Sequence, residues 1–566
     1  MGSGDQNSVI IVFDEVFNLE KNVRYCLRRL TRIFGKLPIW TLFLSTTSTL
    51  PAIQPSLAEE ISSRFVGGEL KRLPPVIGLQ LDLEDCRIMA DPTEMAEELS
   101  RPLIELSSRK HLCIFGRPLW RIHEDSSYRK LTKFVKHKLM GGTDFSVDKA
   151  EHIFAILAAR VGLDPVPSPD TWHFISEAVN RHLRIAVAVD SDTGCMTTVT
   201  PSEPVVSEVA TDLLMTSHSW VRGNAASKSR LWPVAIHNLE SKLLSPGLVE
   251  KGLKGELYAR IICLLAHDYG VQYHNTKLRW EVGTAEPCFW SQPLKLLDFF
   301  YELLPEADYI RLSRCSNKRK PQLRSARGKE TEHPVSRSFA DRMGNAYINF
   351  THFVTTDRNL ESDDTVELAH DLLRRCAALQ LNFVQPAWDI LIPVYYGNPR
   401  MRFEPDNVSV IVIQVKNTKA RNPLGLVPKD YKMLGIDPAL PIISMMFDLG
   451  VETGPATFKT GICGKSEIWT IDLKGPGSGT FRVVDHKGLG GACESLLSTI
   501  TPPDSINNAV CLRNYRFAKH SRKERYTVLG NRCGGSQTSG EGGAGGHPST
   551  SAAATTQELE GGGDGG

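Results

Sequence analysis

The chain has 566 residues, too many for one hydrophobic core, and this length predicts roughly three domains of about 150 residues each. A hydrophobic content of 41% and a charged content of 23% are typical of a globular protein, and a net charge of +2 excludes a polycation, so any nucleic-acid contact has to come from local basic patches. The twelve cysteines include no C-x-x-C pair, which argues against a zinc site and a disulfide framework.

The N-terminal segment has the pattern strand, helix, strand. Val9–Phe13 is a continuous apolar run, typical of a strand that is buried on both faces of a parallel sheet. Asn22–Phe34 has the period of a basic amphipathic helix, and Trp40–Leu44 is a second apolar run. We therefore expect a βαβ unit here. Because Met1–Ser8 is polar and no uncharged apolar run approaches about 18 residues, we expect neither a signal peptide nor a membrane span.

The rest of the chain alternates between helical and strand-like periods, which predicts an α/β protein. Residues 92–185 are mostly helical by period. The further predicted elements are helices at Ala150–Val161, Ser202–Met215, Gly255–Tyr269 and Asp364–Ala378, and strands at Ile185–Val199, Trp388–Val394, Val410–Lys416, Leu440–Phe447 and Ile468–Leu473.

Two segments are predicted to lie outside these elements. Arg311–Lys329 contains eight basic residues and almost no apolar ones, so we expect an exposed loop or linker that attracts phosphate groups. From about Gly534 onwards the chain is mostly Gly, Ser, Thr and Ala, which predicts a disordered tail. Scattered single cysteines and the expected lack of a leader favour an intracellular protein of the cytoplasm or nucleus.

An acidic pair follows the first strand, in the form of a Walker B motif. Asp14 would hold Mg²⁺, Glu15 would orient the attacking water, and Ser45, after the second strand, would be the polar sensor near the γ-phosphate. The phosphate loop G-x-x-x-x-G-K-[ST] is absent ahead of this strand, so we expect no ATP hydrolysis. A truncated gene model and a relic of an NTPase both remain open. The simpler alternative is an ordinary strand end with solvated carboxylates.

A second set of polar residues lies at the ends of two apolar runs. Asp389 opens one run, and Gln414 and Lys416 close the next. This arrangement resembles the metal and lysine site of restriction-endonuclease-like nucleases, written PD-(D/E)xK. Asp389 and Gln414 would be oxygen ligands of Mg²⁺, and Lys416 would stabilise the charge that develops on the phosphate. The alternative is a buried sheet with one satisfied aspartate and a lysine that reaches solvent.

Two features of this site carry alternatives of their own. Residues two apart on a strand face the same side, so Gln414 and Lys416 are expected to point together. Gln414 replaces the more common acidic residue, and a neutral amide binds Mg²⁺ more weakly. Glu256, in the first turn of a predicted helix, is a candidate outer ligand and a fourth catalytic residue, although a glutamate at a helix N-terminus is also favoured by the macrodipole.

Six segments then occur in a fixed order along the chain: Val12–Val16, Leu42–Thr47, Phe115–Trp120, Pro201–Pro204, Gly255–Leu257 and Ile413–Asn417. Together they resemble the crinkler-like family of mushroom-forming fungi. The resemblance implies a P-loop NTPase module of a type linked to transposons and effectors, followed by a restriction-endonuclease-like domain. The implied divisions are residues 1–140 for the C-terminal part of the NTPase, 141–245 for a helical extension, 246–480 for the nuclease-like α/β domain with a mixed sheet and a basic linker at 311–335, 481–533 for a C-terminal extension, and 534–566 for the tail.

The predicted function is Mg²⁺-dependent cleavage of phosphodiester bonds in nucleic acid, with DNA as the expected substrate and no membrane partner. The alternative is a non-catalytic nucleic-acid-binding or regulatory protein whose NTPase and nuclease domains are degenerate. Metal binding at Asp389 would separate the two. The sequence does not indicate the oligomeric state or the cleavage specificity.

Overall fold

The fold is known from a computed structural model. The structure describes residues 81–166, 168, 170–189, 196–215, 231–249, 254–274, 289–316, 337–356, 365–381, 387–417, 431, 434–463, 466–486 and 488–498, and nearer the N-terminus residues 9–13, 19–20, 22–23, 26–27, 30 and 39–43.

Most of the described residues before residue 316 are helical. In chain order, the α-helices are α1 (Leu83–Ala90), α2 (Pro92–Leu99), α3 (Arg109–Leu112), α4 (Tyr128–Leu139), α5 (Ala150–Val161), α6 (Trp172–Arg181), α7 (Pro204–Met215), α8 (Trp232–Asn238), α9 (Lys254–His274), α10 (Leu296–Leu303), α11 (Glu306–Arg314), α12 (Phe339–Met343), α13 (Thr365–Arg374) and α14 (Leu489–Ser498). Within the described part of the chain, no helix combines the length and the apolar character that crossing a membrane requires.

The strands form three sheets. They are β1 (Val9–Phe13), β2 (Ile39–Phe43), β3 (Ile185–Val189), β4 (Met196–Val199), β5 (Leu294–Lys295), β6 (Ala346–Ile348), β7 (His352–Thr355), β8 (Ala377–Gln380), β9 (Ile390–Tyr396), β10 (Val408–Lys416), β11 (Ile442–Asp448), β12 (Gly454–Cys463) and β13 (Ser466–Lys474). The largest sheet has nine strands in the order β12-β13-β11-β10-β9-β6-β5, with β8 pairing with β9 and with β7. Strands β9 and β10 are antiparallel, whereas β10, β11 and β13 are mutually parallel neighbours, so the sheet is mixed and the α/β class is confirmed.

Helices cover both faces of this sheet. Every residue of α9 from Leu257 to Val271 is buried, as expected of a helix that is apolar on all sides and lies in the centre of a protein. It shares one hydrophobic cluster with α5, α7 and the face of the sheet that carries Ile411 and Ile413. A second cluster packs α13 against the opposite face, which carries Val410 and Val412. Residues of the expected helical extension (141–245) and of the expected nuclease-like domain (246–480) therefore contribute to the same core.

The N-terminal pair of strands is confirmed as parallel, but it is less buried than its sequence predicts. Strands β1 and β2 pair in register from Val9 with Ile39 to Phe13 with Phe43. Val9, Ile10 and Val12 are each about half exposed or more, at 53%, 61% and 51%. Two strands alone bury little surface, because a parallel sheet needs covering layers on both faces.

The structure corrects two element boundaries. Arg311 and Arg314 were expected in a basic loop, yet both lie on α11, where the Arg311 guanidinium pairs with Asp308 at 2.6 Å and also donates to the Ala456 carbonyl at 3.0 Å. The predicted helix over 364–378 ends at Arg374, and the chain then enters strand β8. An apolar run this short is compatible with the period of a helix and with that of a strand, so pairing with neighbouring strands of the sheet decides its conformation. The rest of the basic segment and the predicted tail lie outside the described residues.

A buried ionic cluster attaches the first two helices to α13. The Arg374 guanidinium contacts the Asp85 carboxylate at 2.7 Å, and the Arg375 guanidinium contacts the Asp82 carboxylate at 2.7 Å. Both guanidinium groups lie over the Phe115 ring, at 5.5 and 4.6 Å from its centroid. Because these charges are almost fully buried, loss of either partner would leave an uncompensated charge, and the cluster therefore fixes the position of α1.

Glu208 on α7 is a buried acid whose protonation should make stability depend on pH. Its carboxylate accepts hydrogen bonds from the Tyr128 hydroxyl at 2.8 Å, the Trp290 N–H at 3.0 Å and the Ser291 hydroxyl at 2.7 Å. Burial nevertheless raises its pKa from 4.5 to about 7. Between these two values the unfolded chain releases the proton while the folded chain retains it, so this group makes the fold less stable as pH rises.

We therefore expect Glu208→Gln to stabilise the protein at pH 8 but not at pH 4. The amide stays neutral at both values, and the gain at pH 8 should be about 2–3 kcal/mol in the free energy of unfolding. Urea unfolding at the two pH values measures this difference, with Glu97→Gln on the exposed face of α2 as the matched control. A stability difference that is the same at both pH values would contradict the assignment.

Candidate functional site

The two apolar runs with polar ends form strands, as the sequence predicts, and the structure shows that these strands are antiparallel neighbours. Strands β9 and β10 pair from Val408 with Tyr395 to Ile413 with Ile390, which brings the start of β9 to the end of β10. Asp389, one residue before β9, donates its backbone N–H to the Ile413 carbonyl at 2.9 Å. Its carboxylate accepts from the Val415 N–H at 2.6 Å. These two bonds go to the residues on either side of Gln414, so Asp389 lies alongside it.

The alternation of β10 places Gln414 and Lys416 on one face. Both side chains are half-buried, whereas Val415 between them is buried in the larger hydrophobic cluster on the other face. The Asp389 carboxylate binds a backbone N–H of β10 in the position that a continuing strand would occupy. The backbone before it is strained, since Ala387 has φ of +78°. Strain of this kind occurs at residues whose position the surrounding structure fixes.

Glu256 reaches the same strand ends from α9. The start of this helix packs closely against the end of β10, because a Cβ atom on Gly255 would lie 3.1 Å from the Asn417 Cβ and 3.4 Å from the Val415 Cγ1. A larger residue than glycine would need Asn417 or the helix to shift. The Glu256 carboxylate accepts a hydrogen bond from the Gln380 side-chain amide of β8.

The electrostatics show that the Asp389 charge acts on Glu256. Burial, and then the negative charge of Asp389, raise the pKa of Glu256 to about 7, against the opposing effect of the Lys416 charge. Burial also raises the pKa of Asp389, while the Val415 N–H and the Lys416 charge act in the opposite direction. The charges of Asp389 and Lys416 thus act on Glu256 at these strand ends, although α9 packs on the face of the sheet opposite to the one that carries Gln414 and Lys416.

Three residues near this site were not singled out in the sequence. Gln380 lies on β8, where the sequence analysis predicts no element, so no pattern pointed to it. Arg260 lies one turn after Glu256 and lowers its pKa, and this i, i+4 spacing of opposite charges was a usable signal. Asp448 is the register neighbour of Lys416 on the parallel strand β11. It closes an apolar run, the same signal that identified Gln414 and Lys416.

The donor set fits a small, hard cation such as Mg²⁺. Asp389 supplies a carboxylate and Gln414 an amide oxygen. The N–H and C=O of one strand residue point to the same side, so the Val415 carbonyl also faces Asp389. No group of three or more His, Cys, Asp or Glu side chains in the described residues is arranged to hold a metal ion. This is compatible with Mg²⁺, which is commonly bound through one or two carboxylates, water and substrate phosphates.

The residues of the predicted NTPase site cannot be placed. Asp14, Glu15 and Ser45 lie outside the described residues, although the strands that precede them pair as expected. The nucleotide site at these positions therefore stays a prediction.

Two of the sequence motifs contact each other away from the strand ends. The buried Glu203 carboxylate accepts hydrogen bonds from the Arg117 backbone N–H and the Trp120 indole N–H, both at 2.8 Å, and pairs with the Arg117 guanidinium. Gly116 has φ of +85°, and a Cβ atom there would lie 2.4 Å from the Glu203 Cγ. The motifs at 115–120 and 201–204 therefore form one buried polar contact that joins two parts of the chain.

Comparison with known proteins covers only the central helices. Residues 145–279 match the family model of a domain of unknown function (DUF8736). Comparisons with curated proteins and with solved structures give no significant match. The matched region extends from α5 to α9 and contains Glu203 and Glu256, but it ends before Asp389 and the Gln414-x-Lys416 pair. Over these central helices, the chain is similar to the DUF8736 domain.

Proposed function

We propose that the protein is an Mg²⁺-dependent nuclease that cleaves phosphodiester bonds in DNA at the ends of β9 and β10. The observation that supports this most is the position of Asp389, whose carboxylate binds the Val415 N–H between the two residues of the Gln414-x-Lys416 pair. An acid, an amide oxygen and a lysine at adjoining strand ends are the side chains that metal-assisted phosphate hydrolysis needs.

In this proposal each side chain has a separate task. Asp389, Gln414 and the Val415 carbonyl would hold Mg²⁺, which when bound polarises the phosphate and lowers the pKa of a coordinated water. Lys416 stabilises the negative charge that develops on the phosphate oxygens. Glu256, at the start of α9, would accept a proton from the attacking water.

A non-catalytic nucleic-acid-binding protein is the second candidate. It is favoured by the neutral Gln414 and by the lack of a group of three His, Cys, Asp or Glu side chains that could hold a metal among the described residues. The resemblance to crinkler-like proteins supports an effector or transposon-linked role in either case.

Replacement of Lys416 by alanine tests the catalytic proposal. We expect Lys416→Ala to slow Mg²⁺-dependent plasmid cleavage by about a hundredfold, because its charge acts mainly in the transition state, while duplex affinity changes by less than about threefold. Lys474→Ala is the matched control, since Lys474 is also half-buried and lies two strands away in the same sheet. In the strand register Lys416 is opposite Asp448 on β11, and Asp448 is opposite Lys474 on β13.

The cleavage rate is measured as the initial rate with plasmid and RNA substrates, with Mg²⁺ or with EDTA. The duplex affinity is measured by fluorescence anisotropy with a DNA duplex in EDTA. Wild-type protein that binds the duplex but does not cleave with Mg²⁺ would favour the non-catalytic alternative. Equal cleavage rates for Lys416→Ala and wild type would show that the reaction takes place elsewhere.

A further inference from the structure

Helix α4 carries a cluster of cations that no acidic residue balances. Its twelve residues include five lysine and arginine side chains and no aspartate or glutamate. The five are Arg129, Lys130, Lys133, Lys136 and Lys138, all of them exposed except Lys136, which is half-buried. None of them forms an ion pair with any residue that the structure describes. We call these five side chains the α4 basic surface.

What distinguishes α4 is the grouping of its cations on one helix, because Lys110 and Lys149 are also exposed and form no ion pair with a described residue, whereas several exposed arginines are paired. Arg87, Arg181 and Arg311 have side chains that are 54%, 59% and 51% exposed, and each pairs with a carboxylate, at 2.9, 3.1 and 2.6 Å. The small net charge of the chain therefore does not reflect an even mixture of signs, and α4 concentrates unbalanced positive charge on one helix.

Local helix energetics explain only part of the arrangement, because Lys136 and Lys138 lie in the last turn, where the macrodipole favours cations, but the other three do not. Arg129 and Lys130 lie in the first turn, where the positive end of the helix macrodipole disfavours cations. Arg129 and Lys133 are four residues apart, and like charges at this spacing destabilise a helix by about 0.2–0.5 kcal/mol. The basic side chains thus oppose helix stability at this end, which is expected when they serve a partner.

The helix presents these cations rigidly. Leu131, Val135 and Leu139 are at most 1% exposed and anchor α4 to the core. At its N-terminus the Ser127 hydroxyl accepts the Lys130 N–H, and the Tyr128 hydroxyl donates to Glu208. From Arg129 to Lys138 the helix rises about 14 Å, a length over which duplex DNA carries about eight phosphate charges.

We propose that the α4 basic surface binds the phosphate backbone of duplex nucleic acid. A fixed row of unpaired cations complements a polyanion, and each phosphate contact releases condensed counterions. A lipid surface fits less well, because Leu131, Val135 and Leu139 are buried and the partly buried Tyr128 and Phe134 pack against the core, so α4 has no exposed apolar face to enter a bilayer. Helix α4 also carries no exposed Phe, Tyr or Trp ring on which single-stranded bases could stack. This inference does not depend on cleavage, since a catalytically inactive protein would bind in the same way.

The test is the triple variant Arg129→Gln, Lys130→Gln and Lys133→Gln in the full-length protein. Binding of a fluorescent 30-base-pair DNA duplex is followed by anisotropy in EDTA, from 50 to 200 mM salt. We expect affinity at 100 mM salt to fall about tenfold or more, and the slope of log affinity against log salt concentration to decrease by about 2 to 3.

The control is a second triple variant, Arg87→Gln, Arg181→Gln and Arg311→Gln. It removes the same charge from cations of similar exposure that are already paired, so its affinity should change by less than about twofold. Thermal unfolding of both variants verifies that they are folded. Equal losses in the two variants, or an unchanged affinity and salt slope in the α4 variant, would overturn the proposal. So would binding to vesicles with anionic lipid that depends on these three cations while duplex binding does not.

Discussion

Asp389→Asn is expected to reduce Mg²⁺-dependent cleavage by at least about a hundredfold without unfolding the protein. The side-chain oxygen of asparagine can accept the same hydrogen bond from the Val415 N–H that the Asp389 carboxylate accepts at 2.6 Å, so the contact between the two strand ends is kept. What the substitution removes is the negative charge, and a site with only neutral oxygen donors binds Mg²⁺ poorly. The loss of that charge also removes one of the causes that raise the pKa of Glu256.

Asp472→Asn is the matched control for this experiment. Asp472 lies on β13, and burial raises its pKa as it does for Asp389, but it is separated from β9 by strands β10 and β11. Cleavage rates at saturating and limiting Mg²⁺ distinguish a lost ligand from a general loss of charge. If Asp389→Asn cleaves as fast as wild type, or if Asp472→Asn is equally impaired, then Asp389 is not a metal ligand.

Glu203→Ala is expected to lower the free energy of unfolding by about 3–5 kcal/mol, the effect of removing one partner of a buried ion pair. The variant leaves the Trp120 indole N–H without its acceptor and the Arg117 guanidinium without its counter-charge. Glu203→Gln should cost less, because the amide oxygen still accepts from Trp120. Urea unfolding followed by tryptophan fluorescence measures the difference.

Asp164→Asn provides the comparison for this prediction. The Asp164 carboxylate also pairs with an arginine, Arg184, at 2.8 Å, but its side chain is 42% exposed. Solvent reaches this carboxylate, and the buried Arg184 guanidinium keeps its hydrogen bonds to Thr198 and to the Leu163 carbonyl, so we expect a loss below about 1 kcal/mol. If Glu203→Ala were no more destabilising than Asp164→Asn, the contact between the two motifs would be of little structural importance.

The residues of the predicted nuclease site were identifiable because their signals are local. Strands β9 and β10 were recognisable as apolar runs, and the polar residues at their ends stand out against those runs. Gln414 and Lys416 are two residues apart, so their side chains lie on the same face of any strand that contains them. The period of α9 likewise placed Glu256 in a first helical turn.

Other features could not be inferred, because they depend on pairings between distant parts of the chain. The hydrogen bond from Gln380 to Glu256 requires β8 beside β9 and α9 across the sheet, and the sequence predicted no strand at Gln380. The Glu203 contact with Trp120 likewise joins segments that no local period connects. The α4 basic surface was missed because its residues were included among generally helical ones, and only the structure showed which cations lack partners.

By itself, the sequence determined the α/β class, the positions of strands β1, β2, β9, β10, β11 and β13 and of helices α5, α7, α9 and α13, and the residue types at the ends of β9 and β10. These follow from periodicity and from short-range chemistry, which act within a few residues. The tertiary structure alone decided that the Asp389 charge acts on Glu256, that the Val415 N–H binds the Asp389 carboxylate, and that Arg311 lies on a helix. These outcomes depend on burial and on strand register, which arise only when distant segments exclude water together.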